Sequence, residues 1–299
     1  MTMNITLRQL TYLRALAQAR SFSRAAELVH VSQPALSVQI RELEEQVGQP
    51  LVERRPRDVR LTRAGRRVLE TAERVAGELR DLQSEARRGL GQINLGVIPT
   101  IAPYLLPAAL PGLRAQGALR LREATTETLL TEIAEGRLDA AIIATPAPEL
   151  FEVPLFEDRF LLAGTPDQLT MVRGLSPQAI DPDQLLLLDE GHCLADQALA
   201  LCGLTRAAQR IDLGASSLST LCALAGQAMG LTLVPEIASL QETRAVPTLA
   251  LSRFDEEPAR MVRLVRAREV SDAEAWFDPL VRVLRKAGEG LVAQARRRF

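Results

Sequence analysis

The chain has 299 residues and a mass of 32.7 kDa, which leaves room for about two domains of ordinary size. With 47% hydrophobic and 24% charged residues, the composition is that of a folded globular protein and excludes a disordered chain. Three cysteines and two histidines are too few for a disulfide framework and disfavour a zinc enzyme or one with a histidine base.

The net charge of −1 conceals an uneven distribution along the chain. Residues 1–91 contain 16 arginines and 11 acidic residues, whereas the remainder has 20 basic and 26 acidic residues. A basic first part joined to an acidic second part indicates a nucleic-acid-binding domain attached to another module. Because no apolar run is long enough to span a membrane, and Arg8 and Arg14 interrupt the first apolar stretch, we predict a cytoplasmic protein with no signal peptide and no membrane contact.

The first 50 residues predict three helices. The first covers 5–19, the second covers 22–29 after a serine, and the third begins after Ser32 and ends before Gly48. Two short helices joined by a tight turn, the second opened by a serine cap, are typical of a helix-turn-helix.

The third helix has polar side chains of the types that meet bases and phosphates in a major groove. The segment LVERRPRDVRLT that follows predicts a two-stranded wing, whose arginines suit phosphate contacts. A small helical bundle with a polar surface would explain the helices but not the wing. We therefore predict a winged helix-turn-helix domain over 1–62, with the DNA-binding candidates Ser32, Gln33, Pro34, Ser37, Gln39, Arg41, Arg54 and Arg57.

Residues 63–90 predict one long linker helix. Its apolar residues are spaced four and three apart in alternation, as in a coiled-coil seam, and are Val68, Ala72, Val75, Leu79, Leu82 and Ala86. The seam is narrow and flanked by charges, which favours pairing with a second copy. The alternative is an amphipathic helix packed on its own domain.

From residue 91 to residue 299 the pattern alternates between strands and helices, which predicts an α/β domain of two lobes with a parallel sheet. The first lobe has the order β-α-β-α-β, a second set of elements runs from about 160 to 265, and a final helix covers 272–296. Thr100 and Thr126 follow the first two strands, at the edge where such sheets bind ligands. Helix capping explains these threonines equally well.

The whole layout resembles the LysR-type transcriptional regulators. The stretch FSRAAELVHVSQPALSVQIRELEEQVGQPLVERRPRDVRLTRAG is similar to the DNA-binding signature of that family. The resemblance implies a winged helix-turn-helix, a dimerising linker helix and a two-lobed effector domain like a periplasmic binding protein. It also implies promoter DNA, a second copy of the chain in a dimer or tetramer, and RNA polymerase as partners.

Two further segments, GVIPTIAPYLLP and LLLLDEGHCLADQALALC, resemble the hydrogen-peroxide-sensing OxyR branch of the family. In that branch, Gly-His-Cys is followed by a second cysteine nine positions on, which implies that Cys193 reacts with peroxide and Cys202 resolves the product. The resemblance also implies a cellular thiol reductant for the reset, no enzymatic turnover and no cofactor. The implied pocket consists of Thr100, Thr126, His192, Asp196 and an arginine on the last strand, at Arg266 or Arg268.

The spacing of the two cysteines has a physical consequence if the segment between them is helical. Nine positions on a helix put Cys193 and Cys202 on opposite faces, roughly 13 Å apart along the axis. A disulfide requires Cα atoms about 4.4–6.8 Å apart, so the two thiols cannot join while the helix persists. We also expect a helix N-terminus at Cys193 to stabilise its thiolate.

Two other functions fit parts of the sequence. In the first, the chain is a LysR-type regulator that binds a small organic metabolite through Thr100 and Thr126, and Cys193 is incidental. In the second, it is a thiol peroxidase or a transport binding protein, which leaves residues 1–90 unexplained. We predict that Cys222 is a buried core residue without a redox role.

Overall fold

A computed structural model of the chain describes residues 5–55, 58–89, 92–172, 176–205, 214–268, 270 and 273–299. The chain divides into two compact units, Met1–Gln83 and Ser84–Phe299. Each unit has a hydrophobic core of its own. The three-part division at residues 62 and 90 remains a prediction.

Three helices build the core of the first unit: α1 (Leu7–Ala19), α2 (Phe22–Leu28) and α3 (Gln33–Val47). The Ser32 hydroxyl accepts a hydrogen bond from the backbone N–H of Ala35 at 3.4 Å, as expected for a helix cap. Ala25 and Ala26 of α2 are buried, and their small side chains allow the helices to approach closely. The predicted helix-turn-helix is confirmed.

The wing follows as two antiparallel strands, β1 (Val52–Arg55) and β2 (Asp58–Leu61), with Val52 opposite Leu61. Residues 56 and 57 at its tip lie outside the described residues. The next element is the long helix α4 (Arg63–Gly89), in agreement with the predicted linker helix. The boundary between the two compact units falls inside α4.

The second unit begins with the predicted alternation of strands and helices. Its elements are β3 (Gln92–Val97), α5 (Ala102–Arg114), β4 (Ala118–Glu123), α6 (Thr126–Ala134) and β5 (Ala140–Ile143). Strand β3 lies in the middle and pairs in parallel with β4 on one side and with β5 on the other. Since nearly every residue of β3 and β5 is buried, these two strands lie in the packed interior of the unit.

The rest of the unit contains β6 (Phe151–Gly164), α7 (Pro166–Met171), α8 (Cys193–Cys202), α9 (Leu218–Ala225), β7 (Thr232–Pro235), α10 (Glu236–Ala245), β8 (Ala250–Ser252), β9 (Ala259–Arg266) and α11 (Ala273–Arg298). The strands follow the order β4-β3-β5-β9-β6-β7, and β8 pairs with β6. Every pairing made by β9, β6, β7 or β8 is antiparallel, so the α/β class is confirmed but the sheet is mixed rather than parallel throughout.

Strand β6 connects the two halves of this sheet. It pairs with β9 over 151–159 and with β7 over 160–163. The sequence indicated a strand only from about residue 160. The first part of β6 was missed because Pro154 interrupts the run and because the register shifts between Pro154 and Phe156.

None of the helices within the described ranges combines the length and the apolar character that crossing a bilayer would require.

Packing between α11 and β6 generates a test of the fold. A Cβ atom at Gly288 would overlap the buried ring of Phe156, whereas Gly290 on the same helix has open space around it. We expect Gly288→Ala to lower the free energy of unfolding by about 1–3 kcal/mol, because the ring cannot move without disturbing the core.

Gly290→Ala is the matched control, and we expect it to be neutral or to stabilise the protein by up to about 1 kcal/mol, since alanine favours a helix over glycine. Urea unfolding followed by circular dichroism measures both variants. Equal stabilities for the two would contradict the described packing of α11.

Candidate functional site

The site is centred on Cys193, the first residue of α8. Gly191 has a φ of +87°, a conformation that suits glycine, and it turns the chain into the helix. His192 is the half-buried N-cap residue and makes no side-chain capping bond. Cys193 itself is half-buried.

Burial raises the pKa of the Cys193 thiol above its ordinary value. The positive charge of Arg260 and the nearby hydroxyl of Thr126 lower this pKa, and the carboxylate of Asp196 raises it further. Burial has the largest effect, so the net shift of the Cys193 pKa is upward. The sequence led us to expect a stabilised thiolate at this helix N-terminus, and the direction of the shift is opposite because desolvation disfavours the charged form.

The guanidinium of Arg260, on β9, connects Cys193 with the end of β3. Its two terminal nitrogens donate to the hydroxyl of Thr100 at 3.1 Å and to the carbonyl of Thr100 at 3.3 Å. Thr100 is 2% exposed. The Thr126 hydroxyl is also buried and finds no partner of normal hydrogen-bond geometry within the described residues, although it lies close enough to act on Cys193.

Arg260 forms a buried ion pair with Asp158 on β6. The two residues lie directly opposite each other in the β6–β9 register, and Nε of Arg260 donates to a carboxylate oxygen at 3.0 Å. The other oxygen of Asp158 accepts from the N–H of Ile237 in the first turn of α10. Burial raises the pKa of Asp158, and the charge of Arg260 opposes that rise.

The arginine at this site is therefore Arg260 and not Arg266, which was the residue expected from the sequence. The Arg266 guanidinium lies 4.1 Å from the ring centroid of Phe151 and 5.1 Å from that of Phe277, and it donates to the carbonyl of Ala267. Burial lowers the pKa of Arg266. The alternative candidate, Arg268, donates to the carbonyls of residues 148 and 149.

The described thiols are all free. Cys193 and Cys202 occupy the two ends of α8, which spans ten residues, so the predicted helix is present and separates them. Burial raises the pKa of Cys202 to about 11. Cys222 is fully buried in α9, and burial together with the carboxylate of Glu242 raises its pKa well above the ordinary range.

Six of the eight DNA-binding candidates belong to α3 or its cap, and the other two belong to the segment of the wing. Gln33, Ser37 and Arg41 follow one another at four-residue intervals and so share one side of α3. Ser32, the N-cap residue, and Pro34, in the first turn of that helix, are exposed. Gln39 is half-buried on the opposite flank, where its amide donates to Glu42 at 2.7 Å. Arg54 is in β1, and Arg57 lies outside the described residues.

Comparison with known families assigns both units. The profile of the bacterial regulatory helix-turn-helix proteins of the lysR family matches residues 7–66, and that of the LysR substrate binding domain matches residues 86–285. The chain belongs to the LysR family of bacterial regulators. Members of this family that resemble it over nearly its whole length include the Escherichia coli K12 protein described as DNA-binding transcriptional dual regulator OxyR, which is 36% identical over 96% of this chain and 97% of its own.

A second LysR-family relative is the hydrogen peroxide-inducible genes activator of Haemophilus influenzae, 37% identical over 87% of this chain and 90% of its own. Among solved structures, a cysteine variant of Corynebacterium glutamicum OxyR with bound H2O2 matches with a TM-score of 0.64 at 32% identity, covering 97% of this chain and 95% of that one. The oxidized form of the same regulator matches with a TM-score of 0.58 at 34% identity, with the same coverage.

The electrostatic environment of Cys193 predicts the pH dependence of its reactivity. Replacing Arg260 by methionine removes the charge that favours the thiolate, so we expect the pH midpoint of Cys193 alkylation by iodoacetamide to move upward. Arg260→Lys keeps the charge and should shift the midpoint less. The rate is measured by mass spectrometry of the peptide that contains Cys193.

Arg263→Met serves as the control, because Arg263 lies on the same strand and interacts with Glu152 instead. Arg260→Met also leaves Asp158 as a buried, unpaired charge, which costs about 3–5 kcal/mol, so folding is checked before each titration. A midpoint that is the same in all four proteins would remove Arg260 from the site.

Proposed function

We propose that this chain is a transcriptional regulator that binds promoter DNA and senses hydrogen peroxide through oxidation of Cys193. The observation that carries the proposal is the placement of Cys193 at the start of α8, beside Arg260 and Thr126, with Cys202 at the end of the same helix. The names of its relatives support the same function.

The chemistry requires two steps. The Cys193 thiol gives up its proton, and the thiolate attacks one oxygen of H2O2. The O–O bond breaks, Cys193 becomes a sulfenic acid, and the departing hydroxide takes up a proton and leaves as water. The Cys202 thiol then displaces the hydroxyl of the sulfenic acid, which forms a disulfide and releases a second water. A cellular dithiol reductant supplies the two electrons that reset the protein, so the chain acts as a stoichiometric sensor and not as an enzyme.

The second step requires α8 to unwind. Nine helical steps separate the two Cα atoms by about 13 Å along the axis, about twice the distance that a disulfide tolerates. Oxidation therefore replaces one conformation of residues 193–202 by another, and the resulting change in the second unit alters how the paired DNA-binding units meet their half-sites.

Two features of the first unit support DNA binding and self-association. Exposed residues of α3, such as Gln33 and Arg41, supply base-directed groups, and the arginine-rich sequence of the wing suits phosphate contacts. An apolar groove of about 440 Å³ runs between α1 and α4, lined by Ile5, Leu7, Leu10, Val47, Arg67, Val68, Thr71 and Val75. A second copy of this chain is the occupant that we propose, because Val68 and Val75 also belong to the coiled-coil seam of α4.

We further propose that the dimers assemble into tetramers on promoter DNA, that RNA polymerase is a partner there, and that the protein acts in the cytoplasm. The metabolite hypothesis is less favoured, because it gives no role to the placement of Cys193 beside Arg260 and Thr126.

The peroxide mechanism predicts that Cys193→Ser abolishes the response of promoter binding to peroxide without loss of DNA affinity. Cys222→Ala is the control and should respond like the unmodified chain, since Cys222 is buried and its thiol stays protonated. Footprinting of the regulated promoter before and after one equivalent of H2O2 measures the response. A normal response in Cys193→Ser would exclude the thiol mechanism.

The DNA-binding residues predict two different effects. Gln33→Ala should relax base preference, and Gln39→Ala should do so less strongly because Gln39 lies on the opposite flank of α3 and donates to Glu42. Arg54→Ala should weaken binding to all sequences and reduce the slope of log affinity against log salt by about one. Fluorescence anisotropy at several salt concentrations measures the slope, with Arg282→Ala in α11 as a control. An unchanged slope would contradict a phosphate contact by Arg54.

A further inference from the structure

Helix α8 is connected to the central sheet by a hydrogen bond from Gln197. Its side-chain nitrogen donates to the carbonyl oxygen of Ala144 at 2.7 Å. Ala144 follows β5 directly and is 3% exposed. Because β5 is the buried strand next to β3, the bond fixes α8 to one of the most buried parts of the unit.

The position of Gln197 on the helix relates this bond to the two cysteines. Gln197 follows Cys193 by four residues, so the two side chains lie on the same side of α8. Cys202 lies on the opposite side. The hydrogen bond therefore holds the reactive thiol in its place and acts against any unwinding that brings Cys202 round to it.

The second polar atom of the same side chain has the opposite effect. The Gln197 carbonyl oxygen is buried and has no hydrogen-bond partner among the described residues. An unpartnered buried acceptor is unfavourable, and unwinding of α8 would expose it to water. The Gln197 side chain therefore stabilises the helical state through its donated hydrogen bond and destabilises it through its unpartnered oxygen.

We propose that Gln197 is a positioning residue that controls how fast the Cys193 sulfenic acid is converted into the disulfide. The inference rests on the proposed function. The first oxidation needs no movement of α8, whereas condensation with the Cys202 thiol, which releases water, requires the Gln197–Ala144 bond to break. Gln197 therefore sets the lifetime of the sulfenic acid and leaves the reaction with peroxide unaffected.

Two variants of the full-length chain test the proposal. Gln197→Met keeps the approximate size of the side chain, removes the unpartnered oxygen and the donor together, and leaves the buried Ala144 carbonyl without this partner. One unpartnered acceptor thus replaces another, the net change is the loss of the hydrogen bond, and the disulfide should form at least threefold faster. Gln197→Glu places a carboxylate against the Ala144 carbonyl and should accelerate this step further. Gln241→Met, at an exposed position of α10, is the matched control and should behave like the unmodified chain.

The two steps are measured separately. Dimedone trapping in a Cys202→Ser background gives the rate of sulfenic acid formation, which should stay within twofold of the parent in both Gln197 variants. Acid quenching followed by alkylation and mass spectrometry gives the rate of disulfide formation. The midpoint potential of the disulfide should become more negative, because the variants weaken the reduced, helical state. Circular dichroism of the reduced proteins verifies that both variants fold.

Disulfide formation within twofold of the parent in both folded variants would overturn the role of Gln197, and so would equal acceleration of both steps. If the Cys202→Ser chain with Gln197 intact forms no dimedone adduct at Cys193 after peroxide, the proposed peroxide function itself fails, and this inference fails with it. The two failures are distinguishable. A failure of the Gln197 inference alone leaves a normal dimedone adduct at Cys193 in the Cys202→Ser chain with Gln197 intact, whereas a failure of the peroxide function leaves none.

Discussion

The buried ion pair between Arg260 and Asp158 is the interaction on which the second unit depends. The two side chains are 1% and 0% exposed, and burial of charges is tolerated only where each is paired and hydrogen-bonded. Arg260 also donates to Thr100, and Asp158 also accepts from the N–H of Ile237, so both charged groups are paired and hydrogen-bonded. The pair therefore fixes β6 against β9, positions the turn after β3, and places a permanent positive charge beside Cys193.

The positive charge of Arg260 favours the Cys193 thiolate, but burial of the thiol disfavours it more strongly. Burial raises the pKa of both α8 cysteines and so disfavours the thiolate form of each in the reduced protein. At Cys193 alone, a guanidinium and a hydroxyl favour the thiolate, whereas burial is the single cause acting on Cys202. The order of events in the proposed cycle follows from this difference: peroxide reacts at Cys193, and Cys202 responds only after the helix opens.

Local sequence signals were sufficient for the first unit and for α8, because caps, periodicity and the Gly-His-Cys motif all act over a few residues. The parallel order of β3, β4 and β5 was also predictable. Arg260 was not, because residues 260 and 266 are both even-numbered on β9 and face the same side of the strand. Only the register with Asp158, about 100 residues earlier in the chain, separates them. Neither the partner of Gln197 nor the early start of β6 leaves any local pattern.

The depth of Cys222 in α9 has a consequence for repeated use of the protein. Three thiols permit three intramolecular pairings, and a sensor that cycles many times would accumulate the wrong ones if every sulfur were equally available. Because the Cys222 sulfur is enclosed by the core and burial raises its pKa, we expect Cys222 to take no part in thiol exchange. Scrambling is thereby suppressed by packing alone, and each reduction returns the chain to the same starting point.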